Sequence, residues 1–343
     1  VISNPLIVIV GVALFLLLFA QAKKRYGLFV PAFLVFAAFF TLLYMIYKKS
    51  SVHDTWRHVF FLYPFWVSMG ALGIPLIGDY LKNKKLKYLP HAIAVAGLIP
   101  AIIWTFRWHP NQYVYFNALV GGIQGAQGYY DTDYYQNSAL QDGEWLLKNA
   151  PHIPGRKVLV ASNMLGFDKY FAKDTSWISY YYVRYNDRHT KDWDYYVTYS
   201  RYISPEQLQN DIWPPKSAVH KVEVDGVTIS AVLERKSRAG IAAYEALQKN
   251  DFATAAQKYH ELLQVDKDDE NVWANYGIAL ASAGQIEPAI EALNKAVQLD
   301  AGNANFYQIL AQLYKAKGDM NGAQQAMNSA NAIIMKEQEA MGQ

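Results

Sequence analysis

Between two apolar stretches the sequence reads His53-Asp54-Thr55-Trp56-Arg57-His58 and runs directly into Val59-Phe60-Phe61-Leu62-Tyr63-Pro64. A guanidinium, two imidazoles and a carboxylate therefore stand at the lip of a hydrophobic segment. Ionisable groups are tolerated there when they reach water, headgroups or an anionic ligand. Arg57 carries a forked donor suited to phosphate oxygens. The plainer reading of the same residues is an interfacial anchor of aromatic and basic side chains. A second polar group follows the last apolar run, in Trp108-His109-Pro110 and Tyr113-Val114-Tyr115-Phe116-Asn117. Further on, Asp131 and Asp133 admit a general-base or metal role, although Asp in such a setting also serves turns and caps. Tyr134, Tyr135, Trp145, Trp177 and Trp193 could stack on sugar faces, or fill a core and pair across strands.

Four apolar runs near residues 5–22, 28–47, 59–78 and 88–106 approach the roughly 20 residues that a membrane helix needs. Short basic loops at Lys23-Lys24-Arg25 and Lys82 to Lys87 place both loops in the cytoplasm by the positive-inside rule. The His53–His58 loop and everything after Arg107 then face outward. In a bacterial cell this means a multi-pass inner-membrane protein with a periplasmic C-terminal part. The start at Val1, without Met or a targeting signal, reads as the later part of a longer protein.

Across its 343 residues the chain is 52% hydrophobic with a net charge of only +3, a balance that gives no case for nucleic acid. It has no cysteine, so disulfides and thiolate metal sites are excluded. No zinc-type spacing or glycine-rich phosphate loop appears; Gly121-Gly122-Ile123-Gln124-Gly125 suits a tight connection.

Residues 107–235 are predicted to form a small α/β domain. Its helix, Ala139–Asn149, would be capped by Ser138. Strands are expected at Lys157–Ala161, Ile178–Tyr185, Asp194–Ser200, Ala218–Val224 and Val227–Leu233, the last two joined by an Asp225-Gly226 turn. From residue 236 the chain repeats every 34 residues: Asn250, Gly284 and Gly318 recur, as do Ala255, Ala289 and Ala323. This is the tetratricopeptide pattern of paired helices, in approximate repeats 236–269, 270–303 and 304–337. The fold class is thus membrane α-helical, with about four spans, plus an α/β domain plus an α-solenoid. Residues 236–343 hold 9 Lys and Arg against 13 Asp and Glu, without the basic cluster that would name a peptide ligand. The groove remains available to a protein partner, or the array packs on its own chain.

The order of motifs from Trp56-Arg57-His58 and Phe61-Leu62-Tyr63-Pro64 through His109-Pro110, Tyr115-Phe116-Asn117, Gly121-Gly122 and Asp133-Tyr134-Tyr135 resembles the C-terminal half of multi-spanning glycosyltransferases. These are similar to protein O-mannosyltransferases and lipid A aminoarabinose transferases. The family's Asp-Tyr-Trp stands here as Asp133-Tyr134-Tyr135. The resemblance covers residues 1–235 and implies transfer of a sugar from a polyprenyl-phosphate donor to an acceptor on the outer face. It assigns donor phosphate to Arg57, His58 and Asp54, and donor or acceptor lining to His109, Tyr113, Asn117, Asp133 and Tyr134. The expected partners are membrane lipid and the lipid-linked sugar. It names no certain cofactor, and a divalent metal is compatible with the scheme. The family's catalytic carboxylate would precede Val1, so these residues alone should be inactive. Two other classes compete: a membrane-anchored tetratricopeptide scaffold of an envelope assembly, and a subunit of a transport or secretion machine.

Overall fold

The computed structural model describes residues 2–50, 58–81, 86–171, 173 and 176–342. They divide into two compact units, 1–123 and 124–343.

The first unit is helical. Its first apolar run is not one straight helix: α1 (Leu6–Leu17) and α2 (Phe19–Tyr26) meet at an 84° bend. Apolar residues give way to Lys23, Lys24 and Arg25 in α2. Two contacts then fix its direction, Arg25 to Asp79 at 3.0 Å and the Tyr26 hydroxyl to the Leu72 carbonyl at 3.2 Å. α3 spans Phe29–Tyr47. α4 (Tyr63–Gly73) continues as a 3-10 helix, Ile74–Tyr80, where Pro75 lacks the N–H that would extend the α-helical ladder. α5 (Leu89–Arg107) carries Pro100 inside it. The segments Phe29–Tyr47, Phe60–Tyr80 and Leu89–Arg107 are long and apolar enough to cross a membrane, and the bent α1–α2 pair makes a fourth if it counts as one span.

Glycine decides how α1 and α4 pack. A Cβ on Gly11 would sit 2.3 Å from the Gly70 carbonyl oxygen, and one on Gly73 would sit 2.1 Å from that of Gly11. The two backbones touch there, the close approach that small residues permit between apolar helices. Phe15, Leu34, Ala38, Met69 and Leu76 fill the space around the crossing. Many other apolar side chains point outward, among them Phe29, Leu43, Ile46, Val95, Ile103 and Phe106. An apolar surface of that extent is costly in water.

The second unit begins in α6 (Gly122–Ala126), which straddles the division, and continues through α7 (Ala139–Asn149). A five-stranded sheet follows: β1 (Val158–Ser162), β2 (Ile178–Tyr182), β3 (Tyr195–Tyr199), β4 (Ala218–Val224) and β5 (Val227–Glu234). The order is β2-β1-β3-β5-β4, with β1 parallel to β2 and β3, and β5 antiparallel to β3 and β4. Asp225 and Gly226 both take positive φ, 50° and 81°, as a two-residue hairpin turn matched to strand twist demands. One face packs Val160, Val197, Tyr199 and Val232 under α7. The other packs Ala161, Tyr196, Ala231 and Leu233 against Trp193, Trp213 and Leu208 of α8 (Pro205–Gln209). Ser138 does not cap α7; its hydroxyl donates instead to the buried Asp133 carboxylate.

Six helices then pair antiparallel into a solenoid: α9 (Ala239–Gln248), α10 (Phe252–Val265), α11 (Glu270–Ser282), α12 (Ile286–Leu299), α13 (Ala304–Lys317) and α14 (Met320–Gly342). The 34-residue period has a direct physical meaning. Asn250, Gly284 and Gly318 are the left-handed residues, at φ 59°, 81° and 89°, that turn each first helix into its partner. Asp269 and Asn303, also 34 apart, cap α11 and α13 by accepting backbone N–H bonds at 3.0 and 3.1 Å. On α12 Ile290 is buried and Val297 half-buried, whereas α14 has exposed Gln324 and Asn331 in the same register.

Candidate functional site

Of the three residues singled out for donor phosphate, the structure describes His58 alone. Asp54 and Arg57 lie outside the described residues. His58 stands at the entry to the short 3-10 turn Phe60–Leu62 that leads into α4. His109 lies exposed just past the end of α5, before a cis bond to Pro110, with its Nδ1 2.5 Å from Gln112 Nε2. Tyr113 is half-buried in the 3-10 turn Gln112–Val114.

Asn117 does not line a surface. It is 1% exposed, its amide donates to the Asn4 carbonyl at 2.8 Å, and its side-chain oxygen accepts from Leu119 N–H at 3.0 Å. Its own backbone N–H reaches the Ile2 carbonyl at 2.8 Å. This side chain ties the start of the chain to the turn after α5.

Asp133 and Tyr134 belong to the second unit. Asp133 is fully buried and accepts from Asn137 N–H at 3.0 Å as well as from Ser138, so it organises a turn beneath α7 instead of facing an open cleft. The Arg201 guanidinium lies 4.0 Å over the Tyr134 ring and donates to the Tyr134 carbonyl at 3.1 Å. The other aromatic candidates are similarly engaged. Trp145 stacks on His220, Trp177 on His152, and Trp193 under Arg235 at 3.9 Å; of the set, only Tyr135 keeps about half of its surface in solvent. Among the described residues no three His, Asp or Glu side chains gather in a way that could hold a metal.

Next to Asp133 lies a second fully buried carboxylate, Asp142 on α7. Burial raises its pKa well above 3.8 and the Asp133 charge adds to the rise, while the Ser230 hydroxyl opposes it. His220 Nε2 is 4.0 Å away, and burial lowers the pKa of that ring, so neither group favours its charged form.

The most developed polar constellation is one that sequence reasoning missed. It joins the sheet to the solenoid. Arg188, buried in the short 3-10 helix Tyr185–Thr190, donates to both carboxylate oxygens of Glu270 at 3.2 Å and reaches Asp269 at 3.3 Å. Its guanidinium also covers the Tyr185 ring at 3.7 Å. The next residue, His189, meets Asn275 of α11 at 2.8 Å; burial first and then the Arg188 charge lower its pKa to about 3, so the ring is neutral. Arg235 fastens the same corner through the carbonyls of Trp193, Arg188 and Lys191.

The next solenoid loop is held in its turn. The Ser204 hydroxyl donates to Asp300 at 2.7 Å, and Glu206 pairs with Lys336 of α14 at 3.0 Å. Asp300 stands 34 residues after Asp266, so successive repeats offer the same edge to the sheet domain. A further charged cluster braces the linker from β5 into α9. Burial pushes Asp194 up, but bonds from Arg156, Leu159 N–H and Arg238 outweigh it and hold its carboxyl at about 2. The available signal was the Arg188-His189 pair followed, one domain later, by Asp269-Glu270. A single sequence gives no reason to join residues 82 apart.

The fold defines a class: a tetratricopeptide-type helical solenoid seated on a mixed α/β sheet domain, preceded by apolar helices. The tetratricopeptide repeat family matches residues 246–298. No curated protein matches the chain. Solved structures similar to it include MamA MSR-1 C2, at 19% identity over 29% of this chain and 57% of that one, with a TM-score of 0.29. Another is PcrH in complex with the chaperone binding region of PopB, at 22% identity over 27% of this chain and 74% of PcrH, with a TM-score of 0.26. The chain thus spans little more than half the length of the MamA structure it matches.

Proposed function

We propose that this chain is a membrane-tethered interaction scaffold, in which the sheet domain acts as a pedestal and the solenoid is the part that meets a protein partner. The edge-on clamp carries the reading. Arg188, Ser204 and Glu206 grip the loops at the start of α11 and α13 and the far part of α14, which fixes the array from its edge. Positions repeated along its helices stay exposed or half-exposed, such as Asn271 and Asn305, or Ile278 and Gln312. Stacked repeats of this kind form extended binding surfaces. The membrane tether rests on the outward apolar side chains of α3, α4 and α5, and an inner-membrane location with periplasmic domains follows from the loop charges.

The test is site-specific photocrosslinking in the full-length protein in its native membrane. Probes at Asn305 and Gln312 should trap a discrete protein that a probe at Gln257 on α10 does not, and Gln312→Arg should weaken the capture. Equal labelling from all three positions would sink the scaffold reading.

Glycosyl transfer draws no support from the comparisons. It would return if the full-length protein moved sugar from a polyprenyl-phosphate donor and Arg57→Ala abolished that transfer without loss of membrane insertion.

A further inference from the structure

The 84° break after α1 leaves α2 running across the end of the helical unit. Three chain segments converge there. Arg25 of α2 pairs with Asp79 at 3.0 Å and donates to the Pro75 carbonyl at 3.2 Å. The neighbour of Asp79, Gly78, lies so close to the start of the α5 segment that a Cβ on it would be 3.0 Å from the Lys87 carbonyl oxygen. Arg25 is therefore committed to holding α2 in place, whereas Lys23, Lys24 and Lys87 are exposed. Among the described residues no carboxylate pairs with any of these three lysines. The same end carries the exposed rings of Phe29, Tyr80 and Tyr88, while Ala22 on the inner side of α2 is fully buried. An apolar underside, an aromatic rim and unpaired lysines are the features of a helix lying in the headgroup region.

We infer that α2 is an in-plane interfacial helix, and that Lys23 and Lys24, with Lys87 beside them, form a surface for the headgroups of anionic phospholipids. This rests on the membrane reading above. Each lysine near an anionic bilayer surface strengthens binding by about fivefold. The inference explains why α2 turns aside where a straight span was expected: its cations gain more at the interface than in hydrocarbon.

The full chain is first tested for resistance to alkaline extraction from membranes. Release there overturns the spanning reading itself. If it is retained, the purified protein is titrated with phosphatidylglycerol and with phosphatidylcholine, and bound lipid is counted by native mass spectrometry. Phosphatidylglycerol is expected to bind with at least tenfold preference. Lys23→Gln with Lys24→Gln should remove most of that preference, two lysines at about fivefold each accounting for about 25-fold, and Lys315→Gln with Lys317→Gln should leave it unchanged. Equal binding of the two lipids, or preference intact in the Lys23/Lys24 variant, overturns the inference. So does displacement of lipid by millimolar inorganic phosphate, which would mark a site for the free anion.

Discussion

Asp300 is the residue where the clamp depends most on pH. Burial raises its carboxyl to about 6, the charges of Glu270 and Glu206 add to the rise, and the bond from Ser204 opposes it. The folded-state pKa therefore lies above the ordinary 3.8. Such a group contributes stability that is fully present below pH 3.8 and is lost as pH rises through about 6. The full chain should show a melting midpoint that falls over this window. Asp300→Asn should flatten the change by a few degrees, a size typical of one perturbed carboxyl in a domain this large. An unchanged pH profile in the variant would assign the effect elsewhere. Asp142 follows the same sign, since burial between α7 and the sheet raises its pKa, so Asp142→Asn should gain stability relative to the parent as pH rises, read by the same melting curves. Asp142→Ala should lose stability at every pH, because it opens a hole beneath α7.

Elements in the solenoid and in the hairpin were legible because their turns obey backbone rules that one sequence carries. Asn250, Gly284 and Gly318 stand where the chain must adopt left-handed φ, a conformation that glycine and asparagine tolerate and β-branched residues resist. Asn250→Gly should leave the melting midpoint unchanged or slightly raised, whereas Asn250→Val should cost about 1–2 kcal/mol in chemical denaturation. Gly277 makes a different demand. A Cβ there would lie 2.0 Å from Leu293 Cδ2 and 3.0 Å from the Ala289 carbonyl oxygen, so Gly277→Ala should destabilise the α11–α12 pair by about 1–3 kcal/mol.

The helix break at Leu18 was not legible, since the Asp79 carboxylate and the Leu72 carbonyl that hold α2 aside lie far along the chain. The role of Asn117 was hidden for the same reason. Its partners, Asn4 and Ile2, are more than a hundred residues away in the chain, so no local pattern reveals them; the family resemblance implied a lining role, and the side chain is buried. Ser138 looked like a cap by position, yet the nearby Asp133 accepts its hydrogen.

At the scale of the second unit, the question is whether sheet and solenoid behave as one body. A repeat array alone frays from its ends, because each repeat contacts only its neighbours. Here the sheet domain adds contacts that skip along the array, at Glu270, Asp300 and Lys336. The central one is a buried cation shared by two carboxylates, and an unpaired charge left at such a site costs about 3–5 kcal/mol. Arg188→Met should therefore strand Asp269 and Glu270 and separate what is otherwise one cooperative transition into two, with the solenoid opening first. Hydrogen exchange on the full chain reads this directly: amides of α9, α11 and α13 should lose protection together in the variant while those of β1, β3 and β5 keep theirs. Arg188→Lys should not restore the coupling, since an ammonium cannot span both Glu270 oxygens as the guanidinium does. If the two sets of amides exchange in step in all three proteins, the sheet is coupled to the solenoid by its apolar contacts, and the ion cluster adds only specificity.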